Sequence, residues 1–378
     1  MPITKPFPFS RPTGGLSLLR VLACAGLLLP AGAWAQVAGE PPALQDWRAA
    51  NEAVAQFKRG HIDLLKWERA NQPKVPTAPE VEPDLALDTP AEAVYLAWRR
   101  HPDLKRIQDV LGRQTTQQVA EGRLDALDSA WQRRVDEVGE WLDVATQARK
   151  AWIEAVAARQ VVRFREAALT SAEAGSELAR RMVGVGNWSP LQAAPLDLAT
   201  ASARMDLRRA QLAATQAQMA LRDLLGMGGS TAVLGLPSAL PDLPASAMAR
   251  SDWAGRLAAM QRQLPGMGGV RNRAASQAAF EVYSASHELA QIAGGDVLRL
   301  RRFVTEETVL HYNGMLKSVW DLLGEVRNQA AAEVDAIGAQ RDFWLAEADL
   351  QWTLQGGAPA RLVSLGGGSV SPGESAAH

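Results

Sequence analysis

One cysteine, Cys24, is present in the whole chain, so no intrachain disulfide can form and the fold must be held by packing alone. Past the N-terminus no stretch of about eighteen uncharged apolar residues occurs, which excludes a transmembrane helix from the rest of the sequence. Neither sign of charge dominates: 40 lysines and arginines face 41 aspartates and glutamates, so no basic field advertises nucleic acid or an anionic lipid surface. Phosphate loops, nucleophile elbows and metalloprotease motifs are absent. The five histidines, His61, His101, His287, His311 and His378, lack ligand spacing; Tyr283 and His287 share a helix face, where packing is the commoner reason than coordination. Met227 and Met267 stand in Gly-rich segments read as loop connectors rather than thioether copper sites. No catalytic residue, cofactor or metal ligand is therefore expected, and the chain is read as a non-enzyme.

What is present begins with an export signal. Lys5, Arg11 and Arg20 precede the apolar run Val21–Leu29, and small residues at Ala33 and Ala35 set a cleavage site before Gln36. The alternative is acylation of Cys24 in the sequence Val-Leu-Ala-Cys, which would leave a lipid anchor. Residues 36–72 follow as a helical extension, with Trp47, Val54, Phe57, Ile62, Leu65 and Trp67 on its apolar face, then a Pro-rich linker over 73–90.

Beyond the linker the pattern is helical and occurs twice. Thr89-Pro90 caps and opens a short helix that ends at His101-Pro102, and another runs from Leu104 to about Glu121. Leu124, Leu127, Trp131, Val135, Val138, Leu142, Ala145, Ala148, Trp152 and Val156, spaced by threes and fours, start a seam that extends to Met182 without a proline. A stripe of that length must lie along neighbouring helices. The chain then turns through Gly184-Val-Gly186-Asn-Trp-Ser189-Pro190 and returns as a helix closed by Gly226. Residues 227–250 connect to a second set: a helix from Ser251 to about Gln263, a long helix from about Arg271 to Leu310, a turn from Tyr312 through Gly314 to Ser318, and a last helix closed by Gly356. The predicted fold is all-α, two related helical hairpins over 91–226 and 251–356, with a Gly/Ser-rich tail over 357–378.

This duplicated order of short helix, long helix, Gly turn and Ala/Leu-rich return helix resembles the TolC family of outer membrane efflux proteins. The resemblance covers roughly residues 90–356 and rests on Gly186-Asn-Trp-Ser189 with Leu224-Leu225-Gly226, and more loosely on Tyr312-Asn-Gly314 and Ser318 with Leu354-Gln-Gly356, whose spacings are off by one. It implies a trimer forming a hollow periplasmic tube that docks a hairpin adaptor and inner-membrane pump. Its docking residues would be Gly184, Gly186, Ser189, Tyr312, Gly314 and Ser318. It also implies polar side chains at the tube entrance, for which Asp321 is the best placed; the other reason for an aspartate there is the positive end of the helix dipole. Trp47, Ala50-Asn51, Gly60-His61 and Trp67-Glu68 are similar to members that accompany copper-handling proteins. One departure stands out. That family inserts two membrane strands between the short and long helices of each half. Here Pro102–Trp152 and Pro265–Tyr312 show no apolar-polar alternation over the about nine to eleven residues such strands need. The expectation is a periplasmic efflux component without barrel strands, exporting metal ions or small toxic compounds, with a non-conducting periplasmic coiled-coil scaffold or binding protein, linked to copper resistance, as the alternative.

Overall fold

The computed structural model describes residues 83–124, 127, 138–262, 267–357, 359 and 361–365, all within the unit formed by Glu80–His378. Expectations for the signal, Cys24, the N-terminal extension and most of the tail lie outside these residues. The fold is all-α. Eight α-helices occur among the described residues, besides a short 3-10 turn at Pro102–Leu104: α1 Pro90–Arg99, α2 Lys105–Ala120, α3 Val138–Gly184, α4 Pro190–Leu224, α5 Arg250–Gln261, α6 Met267–Gln291, α7 Leu298–Asn313 and α8 Val319–Thr353. A six-residue π turn, Ile292–Val297, joins α6 to α7 in one rod. No helix among the described residues is long and apolar enough to cross a membrane.

The duplication is sharper in three dimensions than in sequence. Positions 138 and 267, 184 and 313, 190 and 319, and 224 and 353, the bounds of the long elements, are each 129 apart. Each repeat is introduced by a two-residue strand, β1 (Leu85–Ala86) and β2 (Leu234–Gly235), and these pair in parallel. Among the described residues there is no other strand.

In the centre of the bundle lies α3, about 70 Å long at 1.5 Å per residue. It packs against α4 on one side and α8 on the other, while α6 and α7 pack on the far side of α8. The flanks are therefore α4 and the α6–α7 rod. The expected seam residues Leu142, Ala145, Ala148, Trp152 and Val156 are all buried along α3. At its expected beginning the chain turns at Glu121–Leu124; the helix is described from Val138 onward, and the expected seam positions Trp131 and Val135 lie outside the described residues. Gly122 takes φ +91°, a conformation costly for a side chain, and a Cβ there would collide with the Arg149 guanidinium. That guanidinium donates to the carbonyls of Ala120 at 2.6 Å and Glu121 at 3.2 Å, satisfying groups that the end of α2 leaves open. Met267, read as a loop residue, is the first residue of α6.

Packing replaces disulfides in two clusters. Near the start of α3, Trp98 and Trp141 stack at 4.3 Å, and the indole of Trp98 donates to the Trp141 carbonyl at 3.0 Å. Trp152 donates to the Leu87 carbonyl at 2.9 Å, pinning the start of the first repeat to α3. In the second repeat Trp253, Phe280, Tyr283 and Phe343 fill the space between α5, α6 and α8. The connector between repeats crosses three helices and is tied to each. Arg159 of α3 donates to Leu236 O at 2.8 Å, and Trp344 of α8 to Pro241 O at 3.0 Å. On α6, the Tyr283 hydroxyl accepts from Met248 N at 3.0 Å and His287 Nε2 bonds to Pro244 O at 3.0 Å. The Tyr283–His287 pair thus serves packing.

Candidate functional site: the paired hairpin tips

Both long hairpins turn at the same end, and the two turns are built alike. After α3, Val185 N donates to Arg181 O, Gly186 N to Val183 O, and Asn187 N and Trp188 N both to Met182 O. After α7, Gly314 N donates to Leu310 O, Met315 N to Tyr312 O, and Leu316 N and Lys317 N both to His311 O. Every donor and acceptor is shifted by the same 129 positions, so each hairpin ends its descending helix in the same left-handed closure. Each return helix then opens on a reciprocal cap. Ser189 N donates to Gln192 Oε1 at 2.8 Å, and Ser318 N to Asp321 Oδ2 at 2.9 Å, while the serine hydroxyls accept from the N–H groups of Gln192 and Asp321.

The structure brings the two tips together through one contact that periodicity alone does not announce: Trp188 stacks on Trp320 at 4.7 Å. Further along, Leu196 of α4 and Leu323 of α8 both lie over Gly175 of α3, and Ser171 Oγ donates to Leu323 O at 3.1 Å. The rods are thus closely joined at this end.

Of the residues expected to form the tips, Gly184 is the last residue of α3, Gly186 occupies the left-handed position at φ +78°, and Ser189 and Ser318 are the caps. Tyr312 lies in the last turn of α7, at the position equivalent to Val183 of the first repeat, and is half-exposed. The equivalence of Gly186 with Gly314 needs correcting. Gly314 sits at φ −81°, ψ 5°, and the counterpart of Gly186 is Met315 at φ +58°, the single non-glycine residue with positive φ among the described residues. Sequence reading aligned the glycines; hydrogen bonding aligns the turns, which is why the spacing looked off by one. A left-handed non-glycine residue costs about 1–2 kcal/mol, so Met315→Gly is expected to raise stability by about 1 kcal/mol in urea unfolding; no gain would show that the Met315 side chain offsets its backbone cost.

The tips are apolar at their ends. Val185, Leu191 and Leu316 are exposed, and Met315 is 93% exposed. Asp321 accepts from both the backbone N–H and the hydroxyl of Ser318, which holds its carboxyl below the usual range, with Lys317 nearby adding to the effect. Its counterpart Gln192 does the same capping without a charge. No group of three or more His, Cys, Asp or Glu residues able to hold a metal occurs among the described residues.

Both flanks carry apolar side chains without a partner in the single chain. On α4, Leu191, Leu198, Met205, Leu212 and Met219 recur every seventh residue and all are exposed. On the other flank Leu289, Ile292, Val297, Leu300, Phe303, Val304 and Leu310 are exposed. The seven-residue period is a signal that was present in the sequence and that the reading of α4 as an Ala/Leu-rich return helix missed.

No protein-family model matches the chain, and no curated protein matches it significantly. Among solved structures it is similar to CusC, described in connection with folding and transmembrane channel formation, with a TM-score of 0.44 and 13% identity over 72% of this chain and 98% of that one. The CmeC outer membrane channel of Campylobacter jejuni gives a TM-score of 0.41 and 12% identity over 65% of this chain and 68% of that one. A membrane protein from Pseudomonas aeruginosa gives 0.42 and 16% identity over 65% and 72%.

Proposed function

We propose that the chain is a TolC-like component of an efflux system: copies assemble side by side through the two flanks, and the paired tips dock a helical-hairpin adaptor that leads to an inner-membrane pump. The observation that carries this reading is the pairing of two equivalent turns at one end of a bundle whose outer helices both present apolar stripes. The flanks differ from each other, so joining α4 of one copy to the α6–α7 rod of the next is a head-to-tail contact, which closes into a ring if the rotation allows. Three copies is the number implied by the resemblance to TolC-family proteins. In such a ring the tips would face one way, the cap carboxylate of Asp321 would stand near the opening, and the cargo would be metal ions or small toxic compounds.

The proposed organisation is an exported precursor, cleaved before Gln36 or acylated at Cys24, with hairpin repeats over 91–226 and 251–356. The mature chain would reside in the periplasm or be held at the outer membrane. The docking role has a direct test. Gly186→Val places a β-branched residue at φ +78°, a conformation it avoids, and reshapes the first tip without touching the clusters around Trp98 or Trp253. Co-purification with a co-expressed periplasmic hairpin adaptor should fall by roughly tenfold or more; unchanged recovery would remove the tips from the docking site.

A further inference from the structure

The repeat makes one internal difference visible. Arg163–Ala168 of the first repeat, inside the unbroken α3, corresponds to Ile292–Val297 of the second, where the rod relaxes into a π turn. Gly294 and Gly295 lie within it, a Cβ on either would meet nothing within 4 Å, and no residue of the turn is buried. Two adjacent glycines remove the side chains that stiffen a helix, and a π turn in mid-rod leaves a local break in the α-helical ladder.

On either side of that break the rod is held very differently. Above it, α6 contributes Phe280 and Tyr283 to the aromatic cluster, Ser276 accepts from the Trp253 indole at 3.1 Å, and Asn272 Nδ2 donates to Thr353 O at 2.8 Å. Below it, α7 buries only Leu298 and Thr308. Its polar ties to α8 are Arg302 with Glu333 at 2.8 Å and Arg301 with Glu325 at 3.7 Å. The Glu325 oxygen facing Arg301 is buried without a hydrogen bond. The matching stretch of α3, residues 169–184, buries Ser171, Ala172, Gly175, Ser176 and Ala179. It is bonded on both sides, by Ser171 to Leu323 O and by Thr200 Oγ1 to Ala172 O at 3.0 Å.

We propose that α7 is a hinged flank that opens from α8 as a unit about Gly294–Gly295, while α3, α4 and α8 stay packed. Its exposed face, with Leu300, Phe303 and Val304, could then adjust to whatever it meets. This motion belongs to the single chain and holds whether or not copies assemble.

Hydrogen exchange read by mass spectrometry tests it, on the full chain and on the same chain carrying L198E and L212E, which disable the α4 stripe. Backbone amides of 298–313 should exchange roughly tenfold or more faster than those of 169–184. The double variant G294A/G295A should slow exchange in α7 by about tenfold or more, because each alanine favours the helix over glycine. Gly338→Ala, at an equally open glycine inside α8, should leave α7 unchanged. Glu333→Gln, which weakens the Arg302 tie, should speed α7 selectively. Equal protection of the two segments in both chains would overturn the proposal. So would a Gly338→Ala effect on α7 as large as that of the double variant, since general stabilisation would then account for it.

Discussion

Trp152→Ala is expected to lower the stability of the folded chain by about 3–5 kcal/mol, measured by urea unfolding followed by circular dichroism. Trp152 is 1% exposed and belongs, with Leu87, Val94, Trp98 and Trp141, to the larger buried cluster. Truncation opens a cavity the size of an indole in rods whose register is fixed by their neighbours, so little can collapse into it. It also removes the donor to the Leu87 carbonyl, the bond that ties the introducing strand of the first repeat to the long helix. Trp188→Ala provides the contrast. Its ring is partly exposed and its main partner is the single stack on Trp320, so a loss of about 1 kcal/mol is expected. Similar losses at both positions would mean that the cluster near the start of α3 is not the chief source of stability.

Replacing Leu198 and Leu212 with glutamate should abolish assembly while leaving the single chain intact. Both side chains are exposed in the chain, so their replacement disturbs no internal packing and should change unfolding stability by no more than about 0.5 kcal/mol. A neighbouring helix laid along the stripe would, however, bury two unpaired carboxylates. An uncompensated buried charge costs about 3–5 kcal/mol, so association should weaken by roughly two orders of magnitude or more. The same pair of changes on a face that no copy covers would leave the solution mass untouched. Dispersed exposed leucines are ordinary on protein surfaces, but five apolar residues repeating every seven positions on one helix face are not scattered.

Much of this architecture was legible because helical periodicity is a one-dimensional record of burial. Leu142, Ala145, Ala148, Trp152 and Val156 marked the inner face of α3, and Ser189-Pro190 and Ser318 marked where the return helices begin. The tips were only half legible. Gly186 is where a left-handed residue was expected, yet in the second repeat that position is taken by Met315, because the hydrogen bonds that close a helix fix the turn and tolerate an unfavourable residue when the rest of the hairpin holds it. The Trp188–Trp320 stack could not be read, since it joins residues on different rods and periodicity within one helix says nothing of which rods meet. The π turn had a local sign, Gly294-Gly295 inside a helical pattern, but glycines interrupt helices without changing their hydrogen bonding often enough that the sign was not decisive. The two strand residues before each repeat were too few to leave any alternation.

The side-by-side assembly of these hairpins is tested most directly by the solution mass of the mature chain, determined by light scattering on a size-exclusion peak. Three subunit masses in one sharp peak are predicted, falling to one subunit mass when Leu198 and Leu212 are both glutamate. A wild-type chain that runs as a single subunit across the accessible concentration range would contradict the account and leave a lone helical rod able to bind or brace, but not to form a duct.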